Sequence, residues 1–447
     1  MKILQIYNEQ RGRFGGEMSV VDTTMRLLAQ NGQEPRLAMK SSRVLEESIV
    51  KRMNAFWGGV YNVRSYYEMR SLLKKDKPDV VHVHSVYPMF SPSVLVACRH
   101  LRIPAVMTVH NWILTCPTWY HFSEGRACEQ CVGGHEYRCV LKNCRSNILE
   151  SCAYALRSAV ARRFRLFHDN LSVLVVMTPF GKEKLLQAGF REEQIAVAPN
   201  PVSTQNIGSK NSDGKYVAFA GRVCLEKGIN VFLAAAARLP DIPFKVAGDG
   251  PALAQMKTLA TGNVTFLGRL ESDELRSFYE ESRALVVPSL CFEQFGMVAA
   301  DAMAAGVPVI ASNLGALPYV VDEGVTGSLF EPRNADDLAR RVRHLWEAPQ
   351  LCKRMGGAGR QKVLREYTET VYFQNLMSIY QTAIQRSRNG RSITPFVYNG
   401  KVITPSAYNG KVIAPLAREG KAITSLIQID NAVARQTDAG NRIASAR

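Results

Sequence analysis

The sequence has no apolar run long enough to cross a membrane. A spanning helix needs about 20 consecutive apolar residues, whereas the most apolar stretch, residues 171–180, ends in Thr-Pro-Phe. At the amino terminus, the apolar segment Lys2–Tyr7 is followed at once by Asn8 and Glu9, too early for a secretory signal. We therefore expect a soluble cytoplasmic protein.

Several other signatures are missing. The chain lacks the spaced glycines with which dehydrogenases bind a dinucleotide, and it lacks a recognised nucleic-acid-binding module. With 46% hydrophobic and 21% charged residues, its composition is that of an ordinary globular protein. This composition excludes wholesale disorder, a collagen-like fibre and a disulfide miniprotein.

Positive charge is in excess and is distributed unevenly along the chain. The net charge of +17 divides into +10 for residues 1–200 (27 Lys and Arg against 17 Asp and Glu), +2 for residues 201–390 (21 against 19) and +5 for residues 391–447 (8 against 3). A basic first half suggests an anionic partner such as a membrane surface or a phosphate-bearing substrate. A solvated surface that favours solubility is the alternative.

Six of the ten cysteines lie between residues 116 and 152. Four of them have spacings that suit a tetrahedral zinc site: Cys128, Cys131, Cys139 and Cys144. His121 or His135 could replace a sulfur ligand. Because cytoplasmic thiols stay reduced, the sequence favours structural zinc or plain thiols over a disulfide, with redox chemistry as a third reading.

The last 57 residues contain a repeat with a period of ten. Tyr398-Asn-Gly-Lys-Val-Ile-Thr-Pro is followed by Tyr408-Asn-Gly-Lys-Val-Ile-Ala-Pro, and a weaker copy starts at Arg418. Asn-Gly favours tight hairpin turns, and the prolines restrict any strands to sheet edges. We interpret residues 391–447 as an appendage or disordered extension, or as a surface-binding strip.

Short segments rich in Val and Ile alternate with longer helical patterns, which predicts parallel α/β sheets. The predicted strands of the first series are residues 2–7, 35–39, 80–84, 105–109, 173–177 and 195–198. Those of the second are residues 216–220, 244–247, 264–267, 284–287 and 308–311. A linker rich in Pro, Asn, Ser and Gly separates the series at residues 199–209.

We therefore predict two Rossmann-like domains facing each other across a deep cleft. The first spans residues 1–200 and carries the Cys-rich insert at 116–152, and the second spans residues 201–370. A helix at 371–390 is expected to return to the first domain. Such sheets bind ligands beyond the carboxyl ends of their strands.

Two loops at strand ends carry candidate phosphate-binding residues. Gly15 and Gly16 follow the first strand and precede a helix, where backbone N–H groups can approach an anion. Arg222 and Lys227 lie in the loop Gly221-Arg-Val-Cys-Leu-Glu-Lys-Gly directly after strand 216–220. Two cations in such a place can hold a diphosphate and stabilise it as a leaving group.

The strongest motif runs from Glu293 to Ile310, beginning Glu-Gln-Phe-Gly-Met. A helix that starts at Met297 offers free N–H groups to phosphate. Glu293 can accept hydrogen bonds from sugar hydroxyls, and Asp301, about one turn into the helix, can reach a ribose diol.

These motifs resemble those of retaining glycosyltransferases of family 4, which have the GT-B fold and include bacterial enzymes of polysaccharide and glycolipid synthesis. The family pattern E-x-F-G-x-x-x-x-E-A-x-A-x-G-x-P-V-I is matched except that Asp301 replaces the second Glu. G-R-x-x-x-E-K-G is matched from Gly221, G-D-G-P from Gly248, and Asn200-Pro-Val fits the domain junction. The resemblance covers about residues 1–385.

The resemblance implies a role for each matching residue. Arg222 and Lys227 would hold the donor diphosphate, and Glu293 and His110 would line the sugar site. The residues expected to bind the rest of the donor are Gly15, Gly16, Gly248, Arg269, Phe295, Gly296, Met297 and Asp301. No D-x-D motif stands in the site and no side chain is an obvious covalent nucleophile, so the resemblance implies front-face transfer with retention and without a catalytic metal.

The acceptor is less defined by the sequence. Some relatives carry a cysteine loop similar to His110-Asn-Trp-Ile-Leu-Thr-Cys-Pro at the acceptor side. Arg157, Arg162, Arg163 and Arg165 lie on a predicted helix with an apolar opposite face, as an interfacial helix would have. We expect a saccharide or lipid-linked saccharide acceptor and peripheral attachment at the inner face of the cell membrane. A nucleotide-sugar epimerase and a non-catalytic nucleotide-sugar scaffold are the alternatives.

Overall fold

A computed structural model describes residues 1–9, 16–42, 58–204, 213–388 and 425–428. The chain forms two compact units. One comprises Met1–Ile103 with Arg418–Arg447, and the other is Pro104–Ala417. Among the described residues, no helix combines the length and the hydropathy that a membrane span requires.

The first unit is built on parallel strands. Its elements in chain order are β1 (Lys2–Glu9), α1 (Gly16–Gln30), β2 (Glu34–Ser41), α2 (Val63–Asp76), β3 (Val80–Val83) and α3 (Ser93–His100). Strand β1 lies between β2 and β3, with Lys2 opposite Glu34 and Ile3 opposite Val80. The interior of β1 and all of β3 are buried, as expected for a parallel sheet covered on both faces.

The second unit begins with three parallel strands and the Cys-rich insert. Its first elements are β4 (Ala105–Thr108), β5 (Phe122–Ser123), β6 (Arg126–Ala127), α4 (Tyr137–Leu141), α5 (Ile148–Arg163), β7 (Val173–Val176), α6 (Pro179–Gln187) and β8 (Ile195–Val197). Strand β7 pairs with β4 on one side and β8 on the other. The insert, between β4 and β7, contains the antiparallel pair β5–β6 and the helices α4 and α5.

A six-stranded parallel sheet forms the rest of this unit. Its strands are β9 (Tyr216–Ala220), β10 (Phe244–Ala247), β11 (Val264–Gly268), β12 (Ser282–Val287), β13 (Val309–Ser312) and β14 (Gly327–Phe330), in the order β11-β10-β9-β12-β13-β14. The helices are α7 (Ile229–Ala237), α8 (Leu253–Leu259), α9 (Ser272–Glu280), α10 (Met297–Ala304), α11 (Leu317–Val320), α12 (Ala335–Glu347), α13 (Pro349–Glu366) and α14 (Glu369–Arg388). Buried clusters around Phe232 and around Leu285 cover its two faces.

The predicted α/β class and all eleven predicted strands are confirmed, with ends that differ by at most two residues. Strand β14 was not predicted, because Gly-Ser-Leu-Phe offers too short an apolar pattern. The last helix, α14, contacts the segment before β7, since Arg386 Nη1 lies 3.4 Å from the carbonyl oxygen of Ser172. The domain boundary at residue 200 stays a prediction.

Little of the tail falls within the described residues. A strand, β15 (Ser425–Gln428), pairs in parallel with β2, so that Ser425 lies opposite Arg36. The ten-residue repeats themselves lie outside the described residues, and their role stays a prediction.

Candidate active site

Three loops meet backbone to backbone at the carboxyl ends of β9, β10 and β12. Gly248 has a φ of +140°, and a Cβ atom there would lie 1.9 Å from the carbonyl oxygen of Gly221. A Cβ atom on Gly228 would lie 1.8 Å from the carbonyl oxygen of Pro288. Only glycine allows this approach, so the sequence-predicted Gly248 holds two loops together.

The centre of this edge is a partly buried ion pair. Lys227 ends a short 3₁₀ turn after β9, and Glu293 lies in the loop after β12. Lys227 Nζ donates to Glu293 Oε1 at 2.6 Å, and Ser289 Oγ donates to the same oxygen at 2.6 Å. The other oxygen, Oε2, accepts no hydrogen bond from the part of the chain that the structure describes.

The electrostatics of the pair keep both groups charged. Burial alone would raise the pKa of Glu293, but the positive charge of Lys227 and the two hydrogen bonds outweigh it, so this pKa is lowered. For Lys227, burial is likewise outweighed by the negative charge of Glu293, and its pKa is raised. Glu293 is therefore a carboxylate that can only accept hydrogen bonds.

Arg222 has a protein partner that the sequence analysis did not foresee. It donates through Nη2 to Glu226 Oε1, four residues along the same loop. Its guanidinium also lies 5.8 Å from the ring centroid of Tyr120. A guanidinium has five N–H donors, so the contact with Glu226 leaves donors for a second anion.

The Phe295–Met297 segment turns the loop into helix α10. Gly296 caps the helix in the left-handed conformation, with a φ of +90°, and Met297 is its first residue. Phe295 is buried, and its ring packs edge-on against Tyr367 at 5.0 Å. The side chain of Phe295 thus belongs to the core, and only its backbone is left for the predicted contact with a ligand.

Asp301 lies in the second turn of α10 and differs from Glu293 in its surroundings. No ion pair with Asp301 is found among the described residues, and burial raises its pKa to about 7. Asp301 in turn raises the pKa of the buried Tyr279, after burial itself. The hydroxyl of Tyr279 has no hydrogen-bond partner within the described chain. Sequence reasoning missed Tyr279, because nothing marks it apart from other core tyrosines.

The remaining predicted donor-binding residues do not belong to the loops described above. Arg269 follows β11, and its Nε lies 3.7 Å from Glu271 Oε1. Gly16 is the first residue of α1 in the other unit, two residues before the predicted helix start at Met18. Gly15 lies outside the described residues. The donor roles of these residues stay predictions.

His110 begins the loop that follows β4. It is partly buried, and burial lowers its pKa to about 3, so the imidazole is neutral at physiological pH. Two residues further, the buried indole of Trp112 donates through Nε1 to the carbonyl oxygen of Phe292 at 2.7 Å. Phe292 directly precedes Glu293, so this hydrogen bond joins the His110 loop to the Glu293 loop.

An aromatic cluster surrounds this link. The ring of Trp112 contacts His121, Phe180 and Phe292 at centroid distances of 5.4, 5.6 and 6.4 Å. Lys184 lies 5.0 Å from the Phe180 ring and pairs with Glu129 in the Cys-rich insert. No sequence pattern indicated this cluster, because its members come from segments that lie far apart along the chain.

The structure modifies the predicted zinc site. Within the described residues, no three or more His, Cys, Asp or Glu side chains are grouped so as to hold a metal ion. His121 is buried, and its two ring nitrogens contact Thr115 Oγ1 at 2.8 Å and the Cys128 carbonyl oxygen at 2.7 Å, so it is not available to replace a sulfur. None of the ten cysteines, all of which lie in the described part of the chain, forms a disulfide.

The thiols nevertheless lie near one another. A hydrogen bond between the two side chains lowers the pKa of Cys144 to about 6 and raises that of Cys139. Burial, and then the nearby thiols of Cys116, Cys144 and Cys128, raise the pKa of Cys131 to about 12. Cys116 thus accompanies the predicted group of four, and zinc binding by these residues stays a prediction.

The structure removes one arginine from the predicted basic face of the helix at residues 157–165. Arg157 is buried and donates through Nη2 to the carbonyl oxygen of Pro117 at 3.1 Å. Arg162 Nε pairs with Glu136 at 2.7 Å, and Arg165 Nε pairs with Asp169 at 3.0 Å. The prediction was wrong for Arg157, which lies against the rings of Trp119 and Tyr154. Arg162, Arg163 and Arg165 remain exposed.

Comparison with known proteins agrees with this arrangement. Two family models match adjacent parts of the chain: Glycosyltransferase Family 4 over residues 14–206 and Glycosyl transferases group 1 over residues 203–362. An uncharacterized glycosyltransferase of Methanocaldococcus jannaschii is 24% identical over 318 residues, which is 70% of this chain and 78% of that protein.

Two further proteins match the chain, one by sequence over part of its length and one by structure over most of it. The D-inositol 3-phosphate glycosyltransferase of Mycolicibacterium smegmatis is 38% identical over 141 residues, 29% of this chain and 32% of that enzyme. The crystal structure of Anabaena HepE in complex with UDP matches with a TM-score of 0.63 at 17% identity, covering 86% of this chain and all of HepE. The likeness to HepE supports the fold.

The motif residues, the parallel sheets and both family models agree on one assignment. The chain is a glycosyltransferase that belongs to family 4 and has the GT-B fold.

Proposed function

We propose that this enzyme transfers a hexose-type sugar, with retention of configuration, from a nucleotide-diphosphate sugar to a hydroxyl group of the acceptor. The observation that carries this proposal is the state of Glu293. It is ionised and largely enclosed, with 13% of its side chain exposed, and Lys227 and Ser289 hold it through a single oxygen. The second oxygen, Oε2, is left to accept hydrogen bonds from sugar hydroxyls, and these bonds would orient the anomeric carbon.

The leaving group determines the second half of the chemistry. As the bond between the anomeric carbon and the diphosphate oxygen breaks, negative charge grows on the diphosphate. Lys227 and Arg222 would stabilise that charge, together with the free N–H groups at the start of α10. The acceptor oxygen then bonds to the same face of the anomeric carbon, and its proton passes to the departing diphosphate.

Two further residues have states that suit a donor site. The neutral imidazole of His110 can donate a hydrogen bond to a sugar hydroxyl without placing a positive charge there. Asp301 would bind the ribose diol, and a neighbouring Tyr279 hydroxyl that lacks a partner could share that contact. HepE binds UDP in its crystal structure, so uridine nucleotides are the first donors to test.

The acceptor that we propose is a lipid-linked saccharide or a glycan intermediate of cell-surface polysaccharide synthesis, at the inner face of the cell membrane. The basic charge of residues 1–200 supports an anionic membrane face. The alternatives are a scaffold that binds nucleotide sugars without transfer, and an epimerase that turns over the donor without a second substrate.

A thermal-shift screen of UDP-, GDP- and ADP-sugars tests the proposal. A donor that binds only the folded state raises the melting temperature, by an amount that grows with its concentration over Kd. In Glu293→Ala we expect the discrimination between sugars to disappear while free nucleoside diphosphate still stabilises the protein. A screen in which no nucleotide sugar shifts the wild type would contradict the proposal.

The products formed from the bound donor distinguish the three candidate functions, which are transferase, epimerase and scaffold. A transferase releases nucleoside diphosphate and, with an acceptor, yields a glycoside whose anomeric configuration matches that of the donor. An epimerase converts the donor sugar without releasing nucleoside diphosphate. A scaffold binds the donor and changes nothing. NMR of the reaction mixture distinguishes these outcomes in one experiment.

A further inference from the structure

The loop between β4 and β5 brings a tyrosine to the proposed diphosphate site. The guanidinium carbon of Arg222 lies 5.8 Å from the centroid of the Tyr120 ring. Arg222 follows a strand of the six-stranded sheet, whereas Tyr120 belongs to the loop that follows β4, a strand of the other large sheet. Tyr120 is partly exposed, so part of its ring is open to a ligand.

The backbone on both sides of Tyr120 has an unusual conformation. Trp119 has a φ of +60° and His121 has a φ of +47°, in the left-handed region that bulky residues rarely adopt. Such conformations persist only where the surrounding contacts determine them, and they are concentrated at functional sites. Two left-handed residues within three positions indicate that this turn is held for the direction in which it presents Tyr120.

Contacts on either side fix this turn. The Trp119 amide donates to the carbonyl oxygen of Cys116 at 2.9 Å, and the Arg157 guanidinium lies 5.5 Å from the Trp119 ring centroid. On the other side, both ring nitrogens of His121 take part in hydrogen bonds. Tyr120 is therefore mounted on a loop whose neighbouring side chains are locked, as the positioning of a ligand requires.

The same loop also contacts the loop that carries Glu293. Trp112 Nε1 donates to the carbonyl oxygen of Phe292 at 2.7 Å. The segment from Trp112 to Tyr120 thus lies against the loops of both proposed donor-binding groups, the Glu293 carboxylate and the Arg222 guanidinium. It bounds the place beside the donor sugar and the diphosphate.

Transfer with retention limits where the acceptor can lie. In front-face transfer, the acceptor oxygen bonds to the anomeric carbon on the face from which the diphosphate departs. The acceptor must then lie beside the diphosphate, next to side chains that adjoin its ligands. Tyr120 is such a side chain, because it adjoins Arg222.

We propose that Tyr120 is an acceptor-binding residue, and that the acceptor group beside the reacting hydroxyl is a sugar ring that stacks on the tyrosine ring. This inference rests on the proposed function, because it requires a donor diphosphate at Arg222. The face of an aromatic ring carries partial negative charge, which attracts the C–H groups on the apolar face of a pyranose. The tyrosine ring also excludes water from the anomeric carbon.

The variant Tyr120→Ala tests this inference through the fate of the donor. Hydrolysis is the same step with water as the acceptor: the water oxygen bonds to the anomeric carbon, the bond to the diphosphate breaks, and a proton of water passes to the diphosphate. The donor is the UDP-, GDP- or ADP-sugar that stabilises the wild type most. The acceptor probes are methyl α- and β-hexopyranosides, and glycerol serves as a polyol without a ring.

We expect opposite effects of Tyr120→Ala on the two reactions. Without an acceptor, the variant should hydrolyse the donor at least about threefold faster, because water reaches the anomeric carbon. The KM for the methyl hexosides should rise about tenfold or more, while the KM for the donor stays within about threefold of wild type. A merely structural defect would slow hydrolysis instead of accelerating it.

Two further variants separate stacking from other effects. Tyr120→Phe keeps the ring and should restore both quantities to within about threefold of wild type. Tyr137→Ala is the matched control, because Tyr137 lies in α4 of the same insert and its ring centroid is also 5.8 Å from a guanidinium, that of Arg138. It should change neither quantity by more than about twofold. Circular dichroism and melting temperature check that each variant is folded.

Several results would overturn the inference and leave the proposed function intact. Tyr120→Ala would hydrolyse the donor no faster than the wild type, or it would keep the wild-type KM for the methyl hexosides. Alternatively, the wild type would glycosylate none of the hexosides, or glycerol equally well, so that no sugar ring is recognised. A wild type that releases no nucleoside diphosphate from any donor would overturn the proposed function itself, and this inference with it.

Discussion

Around Glu293, charged side chains are partly buried, whereas along α5 apolar side chains are exposed. Both arrangements reverse the usual distribution of residues. The Glu293 region is stabilised by its own partners, because Lys227 and Ser289 satisfy one carboxylate oxygen. Leu149 in α5 and Phe164 directly after it are instead 78% and 67% exposed. The comparison teaches that a charge is retained in a partly buried place where neighbouring groups compensate it, whereas the exposed apolar side chains of α5 are not covered by the chain.

The largest expected effect tests the inner region. Glu293→Gln keeps the size of the side chain but removes its charge, so the contacts with sugar hydroxyls and with Lys227 weaken together. We expect the rate of transfer or donor hydrolysis to fall about 100- to 1000-fold. Glu281→Gln is the matched control, because Glu281 pairs with Lys215 at 3.0 Å in an exposed position. A rate within about threefold of wild type for Glu293→Gln would remove Glu293 from the site.

The ion pairs Lys227–Glu293 and Lys215–Glu281 also differ in what they contribute to the free energy of unfolding. The Glu293 side chain is 13% exposed, so removing its cation leaves a buried carboxylate without compensation. Lys227→Met should lower the free energy of unfolding by about 2 kcal/mol, whereas Lys215→Met should change it by about 0.5 kcal/mol or less. Urea denaturation of the ligand-free proteins measures both values. Equal losses would mean that the buried pair has no special role in holding the loops.

Trp112 connects the Cys-rich insert to the Glu293 loop, so a substitution there tests how the Glu293 region is positioned. Trp112→Phe keeps an aromatic ring in the cluster but removes the N–H donor to the Phe292 carbonyl. As a positioning residue, Trp112 should affect kcat by about tenfold while the KM for donor stays within about threefold and stability changes by about 1 kcal/mol.

The control for Trp112 is Trp346→Phe, in a helix that packs on the core of the six-stranded sheet. It should alter stability by a similar amount and leave kcat unchanged. If both variants lose stability and neither loses kcat, the hydrogen bond to Phe292 is structural and does not orient Glu293.

Asp301 gives the smallest expected effect and a characteristic pH dependence. Because burial raises its pKa from the ordinary 3.8 to about 7, the folded chain holds a proton that the unfolded chain releases near pH 4. Stability contributed by this group is therefore lost as pH rises from about 4 to about 7. Asp301→Asn should melt a few degrees above wild type at pH 8, with the difference shrinking toward pH 5.

The matched control for this pH effect is Asp273→Asn, since Asp273 lies in the exposed first turn of α9. Melting curves from pH 5 to pH 8 should show no pH-dependent gain for that variant. A gain for Asp301→Asn that is the same at every pH would mean that the carboxyl group does not titrate in this range.

The sequence predicted the fold well because the fold depends on local patterns. Strand Tyr216–Ala220 is confirmed with both ends correct, since five buried apolar residues precede a glycine-containing loop. The Lys227–Glu293 contact follows from the same logic, because both residues come after neighbouring strands of one parallel sheet. Motif spacing was therefore sufficient to bring these two residues to one edge.

Contacts that depend on distant segments could not be predicted. Trp112 and Phe292 are 180 residues apart, and no pattern connects them. The side of α5 that faces the solvent was also ambiguous, because its sequence carries both arginines and apolar residues on each side. Arg157 turns inward because Pro117, Trp119 and Tyr154 receive its guanidinium, with ring distances of 5.5 and 4.6 Å for the two aromatics.

The central claim is that Glu293 recognises the sugar of a nucleotide-sugar donor, and calorimetric titration of matched donors tests it most directly. Nucleotide sugars that share a base and differ only in one hydroxyl configuration, such as UDP-glucose and UDP-galactose, would be titrated into wild type and Glu293→Gln, with their GDP and ADP counterparts included. We predict that the wild type prefers one sugar by about tenfold or more and that the variant loses this preference, while its affinity for free nucleoside diphosphate is unchanged or higher. A variant that keeps the sugar preference, or a wild type that binds none of these donors, would contradict the account.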